Sequence, residues 1–198
     1  MNKIKLLVGI ALLCLVIPSV AQNRFGILGG GNLSTSSADN SKVKIGYFVG
    51  GLYDIKVNDQ FYIQPQLLFS YEENELKNTD LGGFYSQYDL NLPVLASFKI
   101  NLNKNLSIRI NAGPYLQYAL FGRDKKLVIK GSDEKESTTL GWWHQDFGDH
   151  FTYGIKAGGS LETAHLFYFI EGKYSLRKSY LNFDKHGYTF SLGVGYKF

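Results

Sequence analysis

The chain has 198 residues, with 21 basic and 17 acidic side chains, a formal charge of +4 and a single cysteine. Such a mild positive balance does not give the strongly basic surface on which nucleic-acid binding depends, and one cysteine excludes an internal disulfide. Aromatic residues make up 15% of the chain, and with only four prolines this composition favours β-strands.

The N-terminal residues have the organisation of a secretory signal peptide. Lys3 and Lys5 give a positive start, residues 6–17 are apolar, Pro18 breaks the run, and small residues lead to Ala21. The segment is shorter than the ~20 apolar residues of a membrane-spanning helix. We expect a signal peptide over 1–21 and a mature domain over 22–198, of 198 − 21 = 177 residues. Loss of the two lysines lowers the formal charge from +4 to +2.

Eight segments of the mature chain alternate apolar and polar residues with the two-residue period of a β-strand. The pattern is clearest at 106–120, where the even positions are apolar and odd positions such as Arg109, Asn111 and Gln117 are polar. The predicted strands are 24–33, 44–57, 61–71, 89–100, 106–120, 151–161, 165–176 and 188–198.

Three of these segments contain a proline, at Pro65, Pro93 and Pro114. Proline cannot donate a backbone hydrogen bond to a neighbouring strand, so we expect local bulges or missing ladder bonds at these positions.

The connections between the predicted strands are alternately short and long. The short ones are 58–59, 101–105 and 163–164, and the long ones are 34–43, 72–83, 121–149 and 177–185. Bacterial outer-membrane barrels have short periplasmic turns, long external loops and an even number of strands. The sequence therefore predicts an all-β fold, an eight-stranded antiparallel up-and-down transmembrane β-barrel in the outer membrane of a Gram-negative cell.

Several segments resemble the porin-like outer membrane protein β-barrel domain family. They are 25–34 (FGILGGGNLS), 89–95 (DLNLPVL), 112–116 (AGPYL), 154–162 (GIKAGGSLE) and 192–198 (LGVGYKF). The resemblance covers essentially the whole mature chain, although Lys173 stands where the family often has arginine. It implies an outer-membrane location and a barrel architecture more than any activity.

The last predicted strand ends in Phe198, with Tyr188, Phe190 and Tyr196 in the same phase. We expect this aromatic end to be the signal that the barrel assembly machinery recognises. A chance aromatic ending is the alternative, since aromatic residues are frequent throughout the chain.

The polar face of the strands predicts a charged barrel interior. The charged side chains predicted to lie in the interior or near its rims are Arg24, Lys44, Asp54, Asp89, Lys99, Arg109, Lys156, Glu171 and Lys173, together with Glu162 and Lys197. Buried charges need partners, and Arg109 with Asp89 is the specific pair expected. An eight-stranded barrel is just wide enough for side chains to fill it, so we expect a salt-bridged plug; a narrow basic pore for anions or small solutes is the alternative.

Catalytic and metal-binding patterns are weak in this sequence. The residues considered for a catalytic triad are His150, His165, His186, Ser179 and Asp184, and those considered for a metal site are His144, Asp146, Asp149 and His150. Their spacing matches no specific ligand motif. We expect no catalytic residue, no metal and no cofactor.

The sequence thus predicts a monomeric barrel of structural or surface-interaction type, embedded in outer-membrane lipid. Its external loops would contact surface glycolipid, through groups such as lysine and arginine, or other partners. A narrow passive pore is the first alternative. A lipid-modifying enzyme and a soluble lipocalin-like ligand binder are further ones, and the last would have its polar residues outside.

Overall fold

The computed structural model describes residues 24–36, 43–77, 81–122, 125–129, 137–140, 150–177 and 187–198. The expected signal peptide, residues 1–21, lies outside the described residues. No helix among these residues is long and apolar enough to cross a membrane.

Ten antiparallel strands form one sheet. They are β1 (Arg24–Ser36), β2 (Lys44–Lys56), β3 (Phe61–Lys77), β4 (Leu81–Asn101), β5 (Ser107–Gly122), β6 (Lys125–Ile129), β7 (Ser137–Leu140), β8 (Phe151–Glu162), β9 (Leu166–Ser175) and β10 (Gly187–Lys197). The order is β3-β2-β1-β10-β9-β8-β5-β4-β6-β7, and an additional pairing of β3 with β4 closes the ring. The predicted eight-stranded barrel is confirmed, formed by β1–β5 and β8–β10.

The two faces of the barrel wall follow the predicted alternation. On β5, Arg109, Asn111 and Gln117 are buried in the interior, whereas Ile110 and Leu116 are exposed on the outer surface. This arrangement, with polar residues inside and apolar residues outside, is the reverse of a soluble barrel and suits a lipid environment.

The three prolines do not produce bulges. Each lies within a two-residue gap in the pairing with one neighbour: Pro65 between β2 and β3, Pro93 between β3 and β4, and Pro114 between β4 and β5. The register resumes unchanged after each gap. The ladder is therefore interrupted without inserting a residue, and the register shift of β4 against β5 occurs instead between Tyr88 and Asp89.

Two predicted external loops contain strands. The segment expected as a loop over 72–83 is largely paired, since β3 continues to Lys77, which pairs with Gly82. Within the expected loop 121–149, β6 pairs with the first residues of β4 and β7 pairs with β6. The prediction that these segments are loops was wrong where they are paired, because backbone pairing does not require the alternation by which the strands were predicted.

These outer parts of β3 and β4, together with β6 and β7, form what we call the external sheet. Lys77 lies six positions beyond Tyr71 on β3, which corresponds to about 20 Å of extended chain. The external sheet therefore stands on one side of the barrel rim and projects away from the membrane.

Aromatic side chains form a belt at each end of the outer surface. At the external end, Tyr71 stacks on Tyr47 and packs against Tyr88, with ring centroids 5.3 and 5.0 Å apart. At the periplasmic end, Phe25 stacks on Phe198 at 5.9 Å. Such belts mark the two membrane–water interfaces. The exposed apolar side chains between the belts face the hydrocarbon.

Candidate functional site: the barrel interior

Four charged side chains from four strands meet near the periplasmic end of the barrel. Lys197 Nζ lies 2.7 Å from Asp54 Oδ2 and 3.2 Å from Glu162 Oε2. Arg109 reaches the same two acids, with Nη1 2.9 Å from Asp54 Oδ2 and Nε 2.5 Å from Glu162 Oε2. We call this group the periplasmic quartet. All four side chains are 1–2% exposed, and two positive charges balance two negative ones, as buried charges require.

A chain of hydrogen bonds runs from the quartet toward the external half of the lumen. Gln64 donates to Asp54 Oδ1 at 2.6 Å, Gln66 donates to Gln64 at 3.0 Å, and Lys156 donates to Gln66 at 3.3 Å. Lys156 Nζ then pairs with Glu171 Oε2 at 2.7 Å. We call Gln64, Gln66, Lys156 and Glu171 the polar spine. It connects β2, β3, β8 and β9 across the lumen and satisfies polar groups that would otherwise be costly to bury.

A second group of charges lies in the external half of the lumen. Lys173 Nζ is 2.6 Å from Glu72 Oε1 and donates to Gln117 Oε1 at 2.8 Å. Asp89 is fully buried, and its Oδ1 accepts a hydrogen bond of 2.9 Å from Gln87. The interior thus has paired charges at several heights rather than a single constriction.

Apolar side chains fill the rest of the lumen along one side. They are Leu28, Phe48, Leu52, Leu68, Phe167 and Phe169. Arg109 also stacks over the ring of Tyr62, with the guanidinium carbon 4.3 Å from the ring centroid. The cavity between Tyr115, Lys156 and Lys173 has room for about one water molecule. The lumen is therefore closely packed at this level.

The residues predicted to be inside fall into three groups. Asp54, Asp89, Arg109, Lys156, Glu162, Glu171 and Lys197 are buried. Lys44, Lys99 and Lys173 are half-buried, and Arg24 is exposed at the periplasmic mouth, where its Nη1 donates to the backbone oxygen of Ala164 at 3.0 Å. The charges that the sequence suggested for the interior are thus distributed between the lumen and its two mouths.

The predicted pair of Arg109 with Asp89 is wrong. Arg109 lies opposite Lys99 in the pairing of β4 with β5, whereas Asp89 lies opposite Ala119. Ten positions of β5 separate the two levels, or about 33 Å of extended strand. The adjacency of β4 and β5 did not reveal this, because Arg109 pairs with Glu162 on its other neighbour, β8, and with Asp54 on β2 across the lumen.

Sequence reasoning also missed two neutral members of the interior and one acid. Gln64 and Gln66 lie in the polar phase of the predicted strand 61–71 but have no role in the prediction, and Glu72 falls in the predicted loop 72–83. Their signal was the inward phase on β3, which they share with Tyr62 and Ser70.

The described histidines lie outside the lumen's charged groups. His165 is in the periplasmic turn, where its Nδ1 is 2.9 Å from the backbone oxygen of Lys197, and His150 lies beside Tyr118 at the external end. His144, His186, Ser179, Asp184, Asp146 and Asp149 lie outside the described residues. Within the part of the chain that the structure describes, no cluster of three or more His, Cys, Asp or Glu side chains could hold a metal ion.

A closed barrel with a charged interior and an apolar, aromatic-edged exterior agrees with a match to a known protein family. Residues 20–181 match the family described as "Outer membrane protein beta-barrel domain". The chain belongs to this family. As a member of the outer membrane protein β-barrel domain family, the protein resides in the cell outer membrane.

Solved outer-membrane barrels resemble the chain in fold, at low sequence identity. Ail, the attachment invasion locus protein of Yersinia pestis, crystallised with the heparin analogue sucrose octasulfate, is 15% identical, with a TM-score of 0.46 and coverage of 89% of this chain and 99% of Ail. Neisserial surface protein A is 15% identical, with a TM-score of 0.47 and coverage of 88% and 97%. The outer membrane enzyme PagL is 12% identical, with a TM-score of 0.47 and coverage of 87% and 97%. A search of curated protein sequences gave no match.

Proposed function

We propose that the protein is a plugged outer-membrane barrel that anchors a surface contact. The external sheet would be the contact surface, and phosphate-bearing surface glycolipid would be its partner. The observation that carries this proposal is the contrast between a lumen closed by paired charges and a four-stranded sheet that continues beyond the external aromatic belt.

The position of the external sheet supports contact with the glycolipid layer. The first two residues of β6, Lys125 and Lys126, follow the end of β5 at the barrel rim by three and four positions. Lys126 is paired with Phe84 of β4. The backbone of these lysines is therefore held close to the membrane surface, where the phosphates of surface glycolipid lie. Lysine and arginine are suited to bind phosphate oxygens through charge-assisted hydrogen bonds.

The described rim has further basic residues at the ends of other strands. Lys44 starts β2, and Arg177 follows β9, where its Nη1 donates to the backbone oxygen of Phe151. Both lie at the external end. Basic groups on several sides of the rim favour an anionic lipid over a neutral one.

The packed lumen argues against passage of solutes. Neither the quartet nor the polar spine leaves an unpaired charge that would favour an ion crossing the lumen, and the quartet closes the periplasmic end with side chains that are almost completely buried. The proposal therefore assigns the barrel the role of an anchor and assigns it no catalytic step.

The test compares three proteins in lipid nanodiscs with and without lipopolysaccharide. They are the full chain, a variant in which a short glycine–serine linker replaces residues 123–149, and a control in which such a linker replaces residues 178–186. A ligand that binds the folded state raises the unfolding temperature. We expect lipopolysaccharide to raise it for the full chain and the control, but not for the variant without β6 and β7.

Circular dichroism before heating tests whether both shortened proteins retain the strand signal of the eight-stranded barrel. An equal rise for all three proteins would contradict a contact through the external sheet. No rise for the full chain would contradict glycolipid as the partner.

A further inference from the structure

The external half of the lumen contains a buried carboxylate without a counter-ion. Asp89 is fully buried, and its Oδ2 has no hydrogen-bond partner within the part of the chain that the structure describes. Lys173, the base in the same half of the lumen, has its Nζ 2.6 Å from Glu72 Oε1 instead. A buried carboxylate that no cation balances is costly. Asp89 therefore requires a positive charge that the described residues do not supply.

An unpaired amide oxygen lies on the same face of β4. Asn91 follows Asp89 by two positions, also faces the lumen and is 6% exposed. Its Nδ2 donates to Ser70 Oγ at 2.6 Å, whereas its Oδ1 has no partner among the described residues. Buried acceptors in folded proteins are generally paired with a donor, an ordered water or an ion. Two such acceptors in succession on one face of a strand indicate a site for a positively charged occupant.

The strand register brings the two acceptors to the same level of the lumen. Ser70 is the residue of β3 directly opposite Asp89, so their Cβ atoms are about 4.5–5.5 Å apart. The amide of Asn91 extends toward this level, since it donates to Ser70. The carboxylate, the amide and the hydroxyl are therefore grouped around one rung of the β3–β4 ladder, close enough for their oxygens to share one small ion.

The space beside this group suits a single small ion. Ser70, Glu72 and Asn91 line the cavity that has room for about one water molecule. A cavity of that size admits a monatomic ion and excludes an organic cation. A calcium ion takes roughly six to eight oxygen ligands, and the ammonium of Lys173 also lines the cavity. A singly charged cation is therefore favoured over a doubly charged one.

We propose that the external half of the lumen is a binding site for a monovalent metal cation, sodium or potassium, held by Asp89 Oδ2, Asn91 Oδ1 and Ser70 Oγ. Oxygen ligands of this kind replace the hydration shell of alkali cations, and the ion balances the charge of the buried carboxylate. The periplasmic quartet closes the lumen below, so the ion binds and does not pass through.

The site faces the external end of the barrel. Gln87, which is half-buried, lies on the external side of Asp89 and donates to its Oδ1 at 2.9 Å. It is also paired with Glu72, where β3 and β4 continue into the external sheet. A cation reaches the site from the external medium by displacing the side chain of Gln87, and once bound it stabilises the base of the external sheet.

The test measures the unfolding temperature in nanodiscs of zwitterionic lipid, in the chlorides of sodium, potassium and N-methylglucamine at equal ionic strength. N-methylglucamine is a monovalent cation that is too large for the cavity. A cation that binds the folded state raises the unfolding temperature. Relative to N-methylglucamine, we expect sodium or potassium at about ten times its dissociation constant to raise it by roughly 3–6 °C.

Asp89→Asn removes the charge that the ion balances and preserves the size of the side chain. It should lose the response to sodium and potassium. In N-methylglucamine chloride it should unfold at the same temperature as the natural protein or higher, because no buried charge is left unpaired. Asp59→Asn is the matched control, since Asp59 is 94% exposed in the periplasmic turn between β2 and β3. It should respond as the natural protein does.

Two further measurements address the ion itself. Sodium NMR in the same nanodiscs should show a broader sodium signal with the natural protein than with Asp89→Asn, because bound sodium tumbles slowly. Asn91→Asp adds a second carboxylate to the site. It should therefore gain a rise in unfolding temperature in calcium chloride that the natural protein lacks.

Two results would overturn the proposal. One is an equal unfolding temperature of the natural protein in all three chlorides; a dependence on pH that Asp89→Asn loses would then identify a proton as the occupant. The other is an equal response of the natural protein and Asp89→Asn to sodium and potassium, which would place the effect of the cation elsewhere.

Discussion

The barrel and the external sheet use the same antiparallel pairing but are stabilised differently. In the barrel, each wall residue faces either lipid or a lumen in which side chains pair within and across the ring, as Arg109 does with Glu162 of the neighbouring β8 and with Asp54 of β2. In the external sheet, β6 is attached to β4 through four paired positions, from Leu81–Ile129 to Phe84–Lys126. The comparison teaches that the barrel wall restricts side-chain identity strongly, because two different environments meet there, and that antiparallel pairing continues beyond the wall.

The largest expected effect comes from breaking the periplasmic quartet. Arg109→Met leaves Asp54 and Glu162 buried with Lys197 as their one remaining cation, and we expect a loss of about 3–5 kcal/mol in the free energy of unfolding. Urea unfolding in lipid vesicles measures it. The control Lys104→Met removes an exposed lysine of the adjoining turn and should change the free energy by less than about 0.5 kcal/mol. A similar small change for Arg109→Met would mean that the quartet does not stabilise the barrel.

The next effect concerns the lipid-facing side of the wall. Leu116 is exposed on the outer surface near the middle of β5, so Leu116→Arg should cost about 2–4 kcal/mol of unfolding free energy. Leu102 lies in the periplasmic turn between β4 and β5, and Leu102→Arg should cost about 0–1 kcal/mol. The same vesicle experiment compares them. Equal costs would show that Leu116 does not lie in the hydrocarbon.

A smaller effect distinguishes the two faces of a single strand. A Cβ at Gly30 would lie 2.1 Å from the backbone oxygen of Leu192, whereas a Cβ at Gly31 would have its nearest neighbour at 3.8 Å. We expect Gly30→Ala to lower the unfolding free energy by about 1–3 kcal/mol through overpacking. Gly31→Ala should leave it unchanged or raise it by up to ~1 kcal/mol. If Gly31→Ala proved the more destabilising substitution, the facing of β1 would be reversed.

The sequence predicted the barrel because the wall imposes a simple physical rule. Every wall strand separates lipid from a polar lumen, and this produced the alternation from which all eight strands were identified. The inward phase of Arg109 and Asp54 followed from the same rule. The rule does not predict which interior charges form ion pairs. Those pairs depend on which strands face each other across the lumen and on the stagger between neighbouring strands.

The external sheet was beyond the sequence for a related reason. The outer parts of β3 and β4 and the hairpin of β6 and β7 continue past the external aromatic belt, where a wall between lipid and lumen no longer imposes the alternation.

Ion conductance of the purified full chain in planar lipid bilayers tests the central claim most directly, namely that paired charges close the lumen. An eight-stranded barrel with side chains filling its interior should give no steady conductance. Arg109→Met, which removes one base of the quartet, is the matched variant. It should show transient current under conditions in which the natural protein shows none. Stable, anion-selective conductance from the natural protein would contradict the plugged barrel and favour a narrow pore.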